Sequence, residues 1–195
     1  MRKLILFISL LSFVMSFTFD EKYPKDDNKF WASHYDVPYN MAILVTSIAL
    51  IEGDSSRIGK TAIKSLDSIL VSSVVTQAVK YATGRVRPRS TESSNDWFNY
   101  ETRNLSFPSG HVSSVTAFVT PFILEYRKDE PLIYLLALLP IHQMVGRVKA
   151  QAHWTSDVIA GLAVGALSGY FTYYNDSILL SFTNDKKFIG FRHRF

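Results

Sequence analysis

The chain contains no cysteine, so neither a disulfide framework nor a thiolate metal site can form, and nothing in it depends on redox compartment. Charge is also scarce: Asp, Glu, Lys and Arg make up 19% of the sequence against 47% apolar residues, which excludes a disordered chain. The net charge of +4 suits anionic substrates or an acidic membrane surface, but it carries no nucleic-acid signal. Long uninterrupted apolar runs, internal repeats and low-complexity tracts are missing as well. With 195 residues, one domain with one core is expected.

What is present begins at the N-terminus. Arg2 and Lys3 precede an apolar run over 4–15 that is too short to cross a bilayer comfortably and reads as a secretory signal. Val14 and Ser16 fit the two small positions before a cut near Phe17, giving a leader at 1–16 and a domain at 17–195; an uncleaved anchor is the alternative. Either version places the remainder outside the cytoplasm, in the periplasm or cell envelope.

The rest reads as all-α, a compact bundle of five or six helices. After a polar lead-in over 18–40, helices are expected at 41–51, 61–83, 109–126, 132–148 and 155–174. Pro140 should kink the fourth. In the second, Ile63, Leu66, Leu70, Val74 and Val79 recur at helical spacing while Lys64, Asp67 and Gln77 occupy the other face, so its apolar stripe is expected to face a bundle core. Gly161, Gly165 and Gly169 form an i, i+4 row in the fifth that would let another backbone approach closely. Two short strands over 178–183 and 188–195 suggest a hairpin in the tail at 177–195.

Three clusters carry candidate chemistry. Lys80, Arg87 and Pro88 lie at the end of the second helix, where two long cations could converge on one anion, arginine offering a planar fork and lysine a point charge. A basic run is otherwise a solvated helix end. At Pro108, Ser109, Gly110 and His111 a helix begins; its N-terminal N–H groups attract anions, Gly110 allows close approach, and His111 could protonate a leaving group. The plain alternative is a serine N-cap beside an incidental histidine. Arg147, His153 and Asp157 form the third cluster. At i, i+4 on one helical face, the Asp157 carboxylate could accept from one ring nitrogen of His153 and leave the other as a nucleophile. Asp157 could instead only complement a helix dipole, or the pair could be half a metal site with His34, His111, His142 or His193; no metal is assigned, and His142 reads as a packing residue.

Lys80, six residues, Arg87-Pro88, then Pro108-Ser109-Gly110-His111, then Arg147, five residues, His153, three residues and Asp157 together resemble the signature of the type 2 phosphatidic acid phosphatase (PAP2) superfamily. That family includes lipid phosphate phosphatases, bacterial acid phosphatases and the vanadium haloperoxidases. Gly146 departs from the pattern, which usually has serine before the arginine. The resemblance implies that His153 attacks phosphorus to form a phosphohistidine, Asp157 orients it and His111 protonates the departing alkoxide. Lys80, Arg87, Arg147, Ser109 and the Gly110 amide would hold the phosphoryl oxygens. It implies no cofactor, a phosphomonoester or pyrophosphate substrate such as a lipid phosphate, and a membrane surface nearby. A vanadate-dependent haloperoxidase and a non-catalytic protein that binds lipid headgroups are the alternatives. The short, polar-flecked helices favour a membrane-associated bundle over an integral one with spans near 112–124 and 158–174.

Overall fold

The computed structural model describes residues 20–26, 28–32, 35–100, 105–175, 180–182 and 187–189. The predicted leader at 1–16 lies outside them, as do His34 and His193. Six α-helices are present among the described residues: α1 (Lys29–Ala32), α2 (Val37–Glu52), α3 (Arg57–Thr83), α4 (Gly110–Tyr126), α5 (Leu138–Lys149) and α6 (Thr155–Tyr174). Two short strands, β1 (Leu180–Phe182) and β2 (Lys187–Ile189), pair antiparallel with Ser181 opposite Phe188, which supports the core of the expected hairpin; its outer residues are not described.

The helix boundaries follow local chemistry. Ser56 caps α3 by accepting from the Gly59 amide at 3.1 Å, and Gly84 ends it in the left-handed conformation at φ 54°. Helix α2 starts four residues earlier than expected because Pro38, in its first turn, needs no amide partner there. The predicted kink at Pro140 is not what forms. Residues Pro131–Ala137 wind as a 3₁₀ helix and the α-helix begins at Leu138, placing Pro140 in a first turn whose N–H groups lack intrahelical acceptors in any case.

Helices α2 to α6 alternate in direction, so the starts of α2, α4 and α6 and the ends of α3 and α5 gather at one end of the bundle. Tyr39 of α2 meets His111 of α4 there, and the Ser109 amide donates to the Asp157 carbonyl at 2.9 Å. At the other end Arg57 holds Glu125 and Asp129, both at 2.6 Å. Helix α4 is the central one, and Phe118, Val119 and Phe122 pack with Val45 and Ala49 of α2 and Ala62 and Ile63 of α3. The glycine row of α6 lies against α4, as its spacing suggested: a methyl at Gly161 would sit 2.6 Å from the Ser109 carbonyl oxygen, and one at Gly165 2.6 Å from Thr116 Cβ.

One expectation holds only in part, since Ile63 and Leu66 of α3 pack on the core but the rest of its stripe does not. Helix α3 buries Ser65, Asp67, Ser68, Ser72 and Thr76, while Leu70, Val74 and Tyr81 are exposed. Helix α6 is similar, burying Gly161, Gly165, Ser168, Gly169 and Thr172 and exposing Leu167, Tyr170 and Phe171. Small side chains let α3, α4 and α6 approach closely, and the hydroxyls of Ser65, Ser72 and Thr76 find carbonyl or hydroxyl partners inside, Ser65 on the Phe118 carbonyl at 3.0 Å. The larger apolar residues are left on the outside. Ile43, Leu44 and Ile51 of α2, Leu132 and Leu135 of the 3₁₀ turn, and Leu138 and Ile141 of α5 extend this apolar exterior. Two helical stretches, Arg57–Ser90 and Pro131–Lys149, are long and apolar enough to cross a membrane.

Candidate active site

All eight residues singled out in the sequence come to the end of the bundle where α2, α4 and α6 start. Lys80, on the last turn of α3, donates from Nζ to the Leu105 and Ser106 carbonyls at 3.0 Å each. Arg87 follows in extended chain and reaches the Ala152 and Leu105 carbonyls, both at 3.2 Å, tying the exit of α3 to the turn that carries His153. Gly110 opens α4 and His111 follows it, on a cavity of about 220 Å³ that Tyr39, Thr76, Gln77, Lys80 and Ser114 also line. The rings of Tyr35 and Tyr39 stand edge-on to His111, each 6.4 Å away between centroids. A larger cavity of about 670 Å³, bounded by Tyr23, Met144, Val148 and Val158, contains none of the eight residues.

Ser109 occupies the N-cap position, but its hydroxyl does not cap: Oγ is buried and has no hydrogen-bond partner among the described residues. Arg147 is 3% exposed and lies 5.2 Å beneath the Tyr35 ring, and its Nε and Nη1 likewise make no hydrogen bond among the described residues. Three donors are thus buried and unmatched among the described residues, one at the N-terminus of α4 and two beside the cations Arg87 and Lys80. Leaving such donors unmatched costs roughly 1–3 kcal/mol each, a cost that an anion bound among them would offset.

His153 and Asp157 meet, though not on a shared helical face. Helix α6 starts only at Thr155, so His153 belongs to the preceding turn and Asp157 reaches back from the first turn of α6. Its Oδ2 accepts from the Trp154 amide at 2.8 Å and lies 3.5 Å from His153 Nδ1. With Nδ1 turned to Asp157, Nε2 is the nitrogen left for chemistry. Burial pushes the His153 pKa well below the usual histidine value, and Lys80, Arg147, Arg87 and His111 add positive charge that pushes it the same way. His142 lies apart, stacked on Trp31 with ring centroids 5.5 Å away and Nε2 3.0 Å from the Phe30 carbonyl oxygen, a packing residue as expected.

Three further polar residues enter the site. Ser106 Oγ donates to Asp157 Oδ2 and lies 3.5 Å from His153 Nδ1. Arg85, 1% exposed between Trp97 and Trp154, donates from Nη1 to Asp157 Oδ1 at 2.6 Å and from Nη2 to Asp20 Oδ2 at 2.7 Å. Asp20 also accepts from the Ser156 amide at 2.7 Å. Arg85, Arg87 and Arg89 fall within five positions, and that basic run is the one sequence feature that marks any of these residues; Asp20 and Ser106 carry none.

The sequence profile of the PAP2 superfamily matches residues 61–178, more than half of the chain. The chain belongs to the PAP2 superfamily. Among curated proteins this PAP2 chain is 31% identical over 130 residues to a lipid A 1-phosphatase of Porphyromonas gingivalis, covering 66% of this chain and 26% of that protein. It is 34% identical over 105 residues to a lipid A 1-phosphatase of Rhizobium johnstonii, covering 51% of this chain and 41% of the other. The chain thus spans well under half the length of these relatives. Its fold is similar to that of a transmembrane PAP2-type phosphatidylglycerolphosphate phosphatase from Bacillus subtilis, with a TM-score of 0.51, 17% identity, and coverage of 88% of this chain and 92% of that one.

Proposed function

We propose that this PAP2 chain is a phosphatase that releases inorganic phosphate from a phosphomonoester or pyrophosphate carried by a lipid. The observation that carries the reading is the set of buried, unmatched donors on Ser109 and Arg147 beside a histidine whose Nδ1 faces a carboxylate. Lipid A 1-phosphatases among the relatives support a phosphorylated lipid as substrate.

In this reading His153 Nε2 attacks phosphorus and forms an N–P bond as the bond to the leaving oxygen breaks, and His111 delivers a proton to that oxygen. Water then attacks the phosphohistidine, His111 takes up its proton, and phosphate leaves with His153 regenerated. Asp157 orients the ring and stabilises its charge. Lys80, Arg87, Arg147, Ser109 and the Gly110 amide hold the three phosphoryl oxygens, so protein cations and a helix N-terminus meet the spreading negative charge and no metal is called on. The apolar exterior of α2, α3, α5 and α6 fits a bundle embedded in lipid, with the site at one end near headgroup level. The basic residues and short apolar run at the N-terminus favour a site outside the cytoplasm.

The test is phosphate release by purified protein, with a chelator present, from lipid phosphates and soluble esters. Activity should persist in chelator and fall to background in His153→Ala. An active alanine variant, or loss of activity on chelation, would refute the mechanism.

A further inference from the structure

Resting on the phosphatase reading, we infer that Asp20 and Arg85 are positioning residues, and that the N-terminal strap over 20–26 is a working part of the active centre. Three buried side chains form a line: Asp20 Oδ2 to Arg85 Nη2 at 2.7 Å, then Arg85 Nη1 to Asp157 Oδ1 at 2.6 Å. Asp157 presents its other oxygen to His153 Nδ1. Both carboxylates and the guanidinium are at most 4% exposed.

Geometry sets what the line does. An unsupported carboxylate can rotate about its Cβ–Cγ bond; here one oxygen is clamped by Arg85 and the other receives the Trp154 amide and the Ser106 hydroxyl, so the face shown to His153 is fixed. Arg85 alone would also draw negative charge away from the histidine. Asp20 opposes that by taking half of the arginine fork, and it ties the start of α6 to the strap through the Ser156 amide. The strap is pinned along its length: Gln151 Nε2 donates to the Tyr23 carbonyl at 2.7 Å, and the Asp26 amide donates to the Lys149 carbonyl at 3.1 Å. Residues 149–156 carry His153, so the strap braces the nucleophile's own turn.

Neither Asp20 nor Arg85 lines the cavity at His111 and Lys80, so the expected signature is a loss in kcat without a loss in binding. Asp20→Asn should lower kcat by roughly tenfold to a hundredfold, as small misplacements of reacting groups do, with KM and the Ki of inorganic phosphate within about twofold. The pH profile supplies a readout that loss of structure would not mimic. His153 is faced by Lys80 from α3, Arg87 from the loop, His111 from α4, Arg147 from α5 and Asp157 from α6. Removing the Asp20 charge should move the acid limb of kcat/KM to lower pH, and removing the Arg85 charge in Arg85→Gln should move it to higher pH. Opposite shifts support the inference. An Asp20→Asn enzyme with unchanged kcat and profile, or with raised KM at unchanged kcat, overturns it; if Arg85→Gln does not fold, Asp20→Asn decides alone. A wild-type protein that releases no phosphate from any substrate defeats the phosphatase reading instead.

Discussion

Buried histidine is an effective nucleophile only if it stays unprotonated, and the surroundings of His153 enforce this. Desolvation and four neighbouring basic groups all disfavour its cation, so the neutral ring persists at pH values where an ordinary histidine would be charged. The sign is definite: with a lowered pKa, protonation and loss of the lone pair come later as pH falls. The acid limb of kcat/KM, with the substrate's own ionisation divided out, should therefore lie below pH 6.5. A limb at or above that value would mean that the Asp157 carboxylate outweighs burial. At this scale the sequence was legible where chemistry is written as spacing, since Lys80, Arg87, Ser109, His111, Arg147, His153 and Asp157 all arrive together. It was silent on Asp20, which acts on Arg85 and Ser156 from 65 and 136 residues away. No periodicity connects positions so remote. Ser109 was legible in place, and the structure shows that its hydroxyl does not serve as the N-cap that a serine before a helix suggests.

Among the elements, the contact between α4 and α6 couples packing to the site. Gly161 and Gly169 are both sites where an added methyl would collide with α4, the first 2.6 Å from the Ser109 carbonyl oxygen and the second 2.5 Å from Thr120 Cβ. Overpacking of this kind costs about 1–3 kcal/mol, so Gly161→Ala and Gly169→Ala should lower thermal stability by similar amounts. Their effects on turnover should separate. Gly161→Ala displaces Ser109, whose amide is bonded to the Asp157 carbonyl, and should reduce kcat/KM by about tenfold or more. Gly169→Ala, two turns further along, should leave kcat/KM of the folded enzyme unchanged. Equal kcat/KM in the two variants would show that the helix contact and the site are independent. The glycine row was readable from its four-residue repeat, whereas the break before α5 was not. Pro140 announces a disruption, but proline serves equally inside a kink and in a first turn, and only the path of residues 131–137 decides which.

For the whole molecule, the decisive question is which solvent meets the apolar exterior. Hydrophobic periodicity in α3 found the core face at Ile63 and Leu66 but not further along, where Leu70 and Val74 turn outward, because the same stripe can meet a protein core or lipid tails. What tips the balance is the interior: hydroxyls and Asp67 are buried while Leu70 and Val74 are exposed, the reverse of a helix packed in water. The two environments predict different outcomes for one substitution. Leu70 lies midway along α3 and is 42% exposed, so in water Leu70→Arg would be a surface change worth within about 0.5 kcal/mol. In a bilayer it would place a charge near the hydrocarbon midplane, at a cost of about 2.5–3.5 kcal/mol on insertion scales. Wild-type protein should remain with membranes through a carbonate wash and require detergent for release. Leu70→Arg should reduce the inserted fraction sharply, and a paired Leu70→Arg, Val74→Arg variant should nearly abolish it. Full recovery of both variants in the soluble fraction, folded and active, would instead place the bundle in water and leave its apolar exterior to be covered by something other than lipid.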